Sequence, residues 1–102
     1  MISQKKNINE INNIEIKEVE STYYFYYKNK LISPWHDISL KNNYQLYNFI
    51  CEIPKWTREK FEINTKLDKN PIKQDIEDNK PRIYKWGDTL FNYGAFPQTW
   101  ED

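Results

Sequence analysis

Glu52-Ile53-Pro54-Lys55-Trp56-Thr57-Arg58-Glu59-Lys60-Phe61-Glu62-Ile63 ends in four positions that alternate charged and apolar side chains. In an extended strand this puts Lys60 and Glu62 on one face and Phe61 and Ile63 on the other. An ammonium and a carboxylate side by side have two readings. They form a place for a phosphate and its metal, or an exposed ion pair that contributes little. The twelve residues alone favour the ion pair, because half-buried strands often alternate this way. Immediately upstream, Gln45-Leu46-Tyr47-Asn48-Phe49-Ile50-Cys51-Glu52 is the most strand-like run of the chain. Ile53-Pro54 closes it, since proline cannot donate to a central ladder.

The pattern continues in both directions. Ile14-Glu15-Ile16-Lys17-Glu18-Val19 alternates cleanly, and Thr22-Tyr23-Tyr24-Phe25-Tyr26-Tyr27 is rich in aromatic residues that favour strands. Lys28-Asn29-Lys30 is a hairpin turn without the Asn-Gly signal, with Leu31-Ile32 as the return. Ser33 to Ile38 is an irregular connector, because Pro34 disfavours helix at the residue before it. Lys41-Asn42-Asn43 is a loop. Downstream, Asn70-Pro71 is a turn and Ile72-Lys73-Gln74-Asp75 a short strand. Asp78-Asn79-Lys80-Pro81 is a second turn, followed by Arg82-Ile83-Tyr84. Trp86-Gly87-Asp88 interrupts that strand before Leu90-Phe91-Asn92-Tyr93 resumes, and Gly94 allows a close backbone approach. Residues 1–12 are polar and Asn-rich and read as a disordered or loosely attached tail. Five or more short strands with turns between them, and little helix signal, predict a mainly β domain over residues 13–102. Its expected form is a small antiparallel barrel or sandwich.

Composition narrows the function classes. A chain of 102 residues is at most one domain. Its 15 basic and 15 acidic residues cancel, and no run of Lys or Arg marks a basic face, which argues against a nucleic-acid or membrane-surface binder. A base-stacking role for the many tyrosines fails on the same ground. The single Cys51 excludes a disulfide framework and reads as a small buried hydrophobe; His36 is also single and reads as structural. No signal peptide and no apolar run long enough to span a membrane is present, so the default setting is reducing and cytoplasmic.

Five residues on or next to these strands carry chemistry: Glu52, Lys60, Glu62, Arg82 and Tyr93. If the sheet closes into a barrel, adjacent strands bring them to one rim. Arg82 can grip a phosphate bidentately, with Lys60 against it as a point charge. Tyr93 can donate its hydroxyl to a phosphate oxygen. Glu52 and Glu62 suit Mg²⁺ or its waters, which take hard oxygen ligands.

Ser33–Ile38, Glu52–Thr57, Lys60–Ile63, Asn70–Asp75 and Asn92-Tyr93-Gly94-Ala95-Phe96-Pro97-Gln98-Thr99-Trp100-Glu101-Asp102 occur in that order. Together they resemble the N-terminal part of a soluble family I inorganic pyrophosphatase of the eukaryotic type, from about Thr22 onward. The last eleven residues are the most specific part of the resemblance. It implies a five-stranded OB-type barrel and Mg²⁺-dependent hydrolysis of pyrophosphate to two phosphates, with a homodimer in the intact enzyme. Lys60, Arg82 and Tyr93 match the family's phosphate-binding Lys, Arg and Tyr, which serve catalysis and substrate binding alike. Glu52 and Glu62 match its two early glutamates, which support the metal directly or through water. Trp56 resembles a Trp near the subunit interface of dimeric members, with a core position as the alternative.

Two departures qualify the match. The link from Ile83 to Asn92 is shorter than in the eukaryotic relatives and lacks their His and extra Tyr. The family's Asp-x-Asp-Pro-x-Asp motif, which supplies most metal ligands, does not occur in the sequence. The expectation is therefore a partial barrel lacking its C-terminal part, carrying the phosphate-binding half of the site and inactive alone. The alternative is a non-catalytic module that binds phosphate-type anions or a full-length partner.

Overall fold

The computed structural model describes residues 8, 11–77, 80–83, 87, 89 and 92–100. After one short 3-10 turn, Ile11–Asn13, the described chain is extended. β1 (Ile14–Val19), β2 (Thr22–Tyr27) and β3 (Lys30–Ile32) are joined by two-residue turns, and β4 (Ile50–Ile53) follows a long connection. β5 (Phe61–Ile63), β6 (Ile72–Gln74), β7 (Ile76–Glu77), β8 (Lys80–Pro81) and β9 (Tyr93–Ala95) complete the set. An antiparallel five-stranded sheet runs β1-β2-β6-β5, with β3 also pairing β2, and two ribbons, β4–β9 and β7–β8, stand beside it.

The hairpins form for a backbone reason. Glu20 and Ser21 have φ of 50° and 60°, and Lys28 and Asn29 have 51° and 62°. Two successive left-handed residues make a type I′ turn, whose twist matches that of the flanking strands. Neither turn contains glycine, so each carries a steric penalty that the β2 packing must outweigh. Along β2 the period of two sends Tyr23, Phe25 and Tyr27 inward. Phe25 is buried opposite Ile32 and Ile16, and Tyr23 lies opposite Ile72 and edge-on to Phe61, ring centroids 5.6 Å apart.

The core is small: Ile8, Phe25, Ile32, Ile38, Ile50 and Ile72, with Ile14, Tyr23, Tyr27, Phe61 and Ile63 against it. Ile8 lies within the stretch assigned to the tail. It is nevertheless buried, donates its N–H to the Asp37 carbonyl at 2.8 Å and accepts from the Ser39 N–H at 2.9 Å. Under the sheet, Ser33 forms a polar knot. Its hydroxyl donates to Asn70 Oδ1 at 2.6 Å and accepts from the His36 N–H, while its own N–H donates to Asp37 Oδ2 at 2.8 Å. The connector predicted from Pro34 is thus irregular but fully bonded, and no buried side-chain polar atom among the described residues lacks a partner.

Three expectations differ from the structure. The run Gln45–Glu52 is not one strand: β4 starts only at Ile50 and includes Ile53. Asn42 intervenes, its Oδ1 accepting from the N–H groups of Tyr44 and Leu46, and this local bonding competes with a ladder. Cys51 is exposed rather than buried, because it points away from the core that holds Ile50. Trp56, at φ 70°, is 63% exposed, which removes the core alternative for that side chain. Tyr84, Trp86, Asp88, Leu90 and Phe91 lie outside the described residues, so the strands expected there stop at Ile83 and restart at Asn92.

Candidate active site

The chemistry-bearing residues sit on three neighbouring segments, stitched by backbone bonds. β4 and β9 pair with Ile50 opposite Ala95, Cys51 opposite Gly94, and Ile53 opposite Tyr93. Glu52 is the extra residue between Cys51 and Ile53, a β-bulge. A bulge re-aims one side chain, and here the Glu52 carboxylate crosses to β5, where Oε2 accepts the Ile63 N–H at 2.6 Å. On the far side of β5 the Lys60 N–H donates to the Arg82 carbonyl at 3.0 Å, and Glu59 bridges Ile83. Tyr93, Glu52, Glu62, Lys60 and Arg82 therefore follow one another across β9, β4, β5 and the segment after β8.

Gly94 makes the β4–β9 pairing possible. A Cβ at this position would run into the carbonyl oxygen of Ile50 and would lie 2.7 Å from Phe49 Cζ. The segment after β4 is held from the other side. Trp56 N–H donates to the Thr89 carbonyl at 2.7 Å, the Thr89 hydroxyl donates to the Pro54 carbonyl, and the Lys55 N–H donates to Asn92 Oδ1 at 2.7 Å.

Electrostatics separate the five residues. Burial pushes the Glu52 carboxyl above the ordinary carboxylate range; the Ile63 N–H pulls it down and the Glu62 charge pushes it up again. Glu62 is exposed opposite Lys73, while Phe61 and Ile63 pack on the core, so the alternation predicts their faces correctly. Arg82 is not presented alone. Its Nη1 contacts Asp75 Oδ2 at 2.6 Å, the Arg82 N–H donates to the Asp75 carbonyl, and Gln74 Nε2 donates to the Arg82 carbonyl at 2.9 Å. A guanidinium has further N–H groups, so Asp75 can orient Arg82 while leaving donors for an anion. Asp75 is a site residue that the sequence reading placed in a strand without giving it a role. The signal available was its spacing: it stands at the turn into the β7–β8 hairpin, which brings Arg82 back beside it. Tyr93 is about half exposed on the outer strand of its ribbon.

Clefts open on both sides of Glu52. One, of about 360 Å³, is lined by Trp35, Ile63, Phe96 and Trp100; the other, of about 500 Å³, by Tyr23, Cys51, Phe61 and Gln74. Among the described residues no three His, Cys, Asp or Glu side chains are grouped to hold a metal ion. Glu52 and Glu62 supply hard oxygen atoms of the kind Mg²⁺ takes, but two carboxylates fall short of its roughly octahedral shell, and the balance must come from water, substrate or further donors.

Comparison with known proteins identifies the surroundings of this site. A family model described as inorganic pyrophosphatase matches residues 49–102. An inorganic pyrophosphatase of Drosophila melanogaster is 46% identical over 90 residues, covering 79% of this chain and 27% of that protein. The chain thus spans about a quarter of the length of the curated relatives it matches. Among solved structures, a type I inorganic pyrophosphatase from P. falciparum superposes with a TM-score of 0.78 at 35% identity, over 99% of this chain and 36% of that one. An N-terminally truncated vacuolar soluble pyrophosphatase of Trypanosoma cruzi, in complex with PPi, gives 0.67 at 46% identity, over 86% and 41%. The mainly antiparallel β architecture, with almost no helix, is that of the OB-type fold of the type I enzymes. By sequence and by fold, the chain belongs to the inorganic pyrophosphatase family.

Proposed function

We propose that the polypeptide carrying this chain hydrolyses inorganic pyrophosphate to two orthophosphates, and that residues 13–102 form the phosphate-gripping part of its barrel, anchored ahead of β1 by Ile8. The observation that supports this best is the backbone bond between Lys60 and Arg82, which sets the two cationic candidates on adjacent segments. Arg82, oriented by Asp75, offers a bidentate fork to one phosphoryl group; Lys60 adds a point charge, and Tyr93 donates its hydroxyl to a phosphate oxygen. Pyrophosphate is compact and highly charged, so positioning and charge neutralisation carry most of such a reaction. Glu52 and Glu62 would take part in holding Mg²⁺, directly or through water. When bound, the ion supplies further neutralisation and polarises phosphoryl oxygen. The raised proton affinity of Glu52 suits it to holding a proton near neutral pH at a site next to anions. The expected setting is cytoplasmic, and the intact enzyme a homodimer.

The absence of a three-ligand metal cluster among the described residues favours a second reading for the 102-residue chain by itself: a module that binds phosphate-type anions, or a full-length partner, without turnover. Phosphate release from pyrophosphate with Mg²⁺ separates the two. The 102-residue chain is expected to be inactive, and a polypeptide extended to the length of the relatives active and crippled by Arg82→Ala. An extended polypeptide that is folded and inert would sink the enzymatic reading. Activity of the 102 residues alone would sink the account of the metal.

A further inference from the structure

β1 ends the five-stranded sheet, and among the described residues no strand pairs with its outer edge. It is six residues long, without bulge or proline, and exposed along all but its first residue. An edge of this kind is a template for another strand unless something blunts it. We propose that it pairs with the β1 strand of a second copy of this chain, antiparallel, about a two-fold axis through Ile16.

Backbone parity and charge select that register together. Val19 and Thr22 flank the two-residue turn at Glu20 and Ser21, so they form a hydrogen-bonded pair, and the N–H and C=O groups of Lys17 and Glu15 face β2 as well. The groups of Ile14, Ile16 and Glu18 therefore face outward. An antiparallel partner must set outward residues opposite outward residues, which limits the two-fold registers to those centred on single residues. Centred on Glu15 or Lys17, the pairing puts like charges face to face at the axis. Centred on Ile16, it puts Glu15 opposite Lys17 of the second copy, and the reverse, with Ile16 against Ile16. Opposite charges directly across a ladder stabilise it, and like charges oppose it. Ile16 is 56% exposed in the single chain, so its apolar surface has something to gain. The Lys17 ammonium already lies on the outer sheet face, 4.7 Å from the centre of the Tyr26 ring, and Tyr26 stands opposite Glu15. The arrangement is isologous and closes on itself, giving a dimer rather than a fibre.

Sedimentation of the full chain across a concentration series tests this. The native chain is expected to dimerise reversibly. Glu15→Lys and Lys17→Glu are each expected to weaken the dimer about tenfold, since both cross-strand pairs become repulsive. An equimolar mixture of the two variants, or the double variant Glu15→Lys/Lys17→Glu, restores it, whereas Glu20→Lys, the same charge change in the adjoining turn, leaves it intact. In a Cys51→Ser background, Ile16→Cys oxidises to a covalent dimer and Val19→Cys does not, because only residues at the axis come within disulfide reach of their own copy. A chain that stays monomeric, or a dimer indifferent to both charge reversals, overturns the proposal.

Discussion

The β1–β2–β3 hairpins and the β4–β9–β5 region are built from the same kinds of residue but are held in different ways. The hairpins are regular ladders whose register follows from two tight turns and an alternating pattern. The second region is a set of individual fastenings: one bulge, one glycine with no room for a Cβ, one carboxylate on a neighbouring strand's N–H, and threonine and asparagine side chains bonded to backbone. Regular pairing spreads stability over many weak contacts and leaves side chains facing where the pleat sends them. Irregular pairing concentrates it and lets side chains such as Glu52 be aimed. The candidate chemistry lies in the second region.

Gly94→Ala should break the contrast most sharply. The added methyl meets the Ile50 backbone, so a loss of about 3 kcal/mol or more in denaturant unfolding is expected, with the β4–β9 ribbon lost first in hydrogen exchange. A substitution of similar size in the hairpins, Val19→Thr, should stay within about 0.5 kcal/mol because Val19 is exposed. Next in size is Ser33→Ala, which strips a buried partner from Asn70 and removes an acceptor from the His36 N–H; a cost of about 2 kcal/mol is expected. Asp75→Asn is expected to cost less than about 1 kcal/mol in stability, the ion pair being partly exposed, yet to weaken pyrophosphate binding in titrations by leaving Arg82 less well oriented.

Glu52 allows a comparison across pH. Its carboxyl holds its proton more tightly in the folded chain than in the unfolded one, mainly through burial. Its favourable contribution is thus fully present below the ordinary carboxylate pKa, and is lost as pH rises through the raised folded value. Glu52→Gln removes a charge whose ionisation is disfavoured, so the stability–pH profile above about pH 4.3 should become flatter. A profile unchanged by the substitution would mean that Glu52 is not desolvated. The smallest effect is expected in the turns: Ser21→Gly relieves a left-handed residue at φ 60° and should stabilise the hairpin by about 0.5 kcal/mol.

The hairpins were legible in the sequence because alternation and turn length are local properties. Strands β1 and β2 fall on the predicted residues, and the turn at Lys28 and Asn29 forms although it lacks Asn-Gly. The five residues expected at the site fall on adjacent segments, but their fastenings were not legible. Nothing local in Gln45–Glu52 says that the Asn42 side chain will interrupt the ladder, or that Glu52 will become a bulge. Both depend on contacts with segments far along the chain. Asp75 escaped for the same reason: its partner Arg82 becomes a neighbour only once β7 and β8 have paired.

One fastening has a consequence for the order in which the molecule takes shape. The indole N–H of Trp35 donates to the Thr99 carbonyl at 2.7 Å, Gln98 N–H donates to the Trp35 carbonyl, and Gln98 Nε2 donates to that of His36. These bonds join positions more than sixty residues apart. During synthesis the hairpins can pair as soon as they leave the ribosome, since each closes a short loop. The Trp35 clasp must wait for almost the whole length of this chain, and with it the strand that carries Tyr93. A nascent chain would therefore spend part of its life with its sheet formed and its phosphate-facing ribbon still open, an interval in which chaperones, or a second copy arriving at β1, would find it.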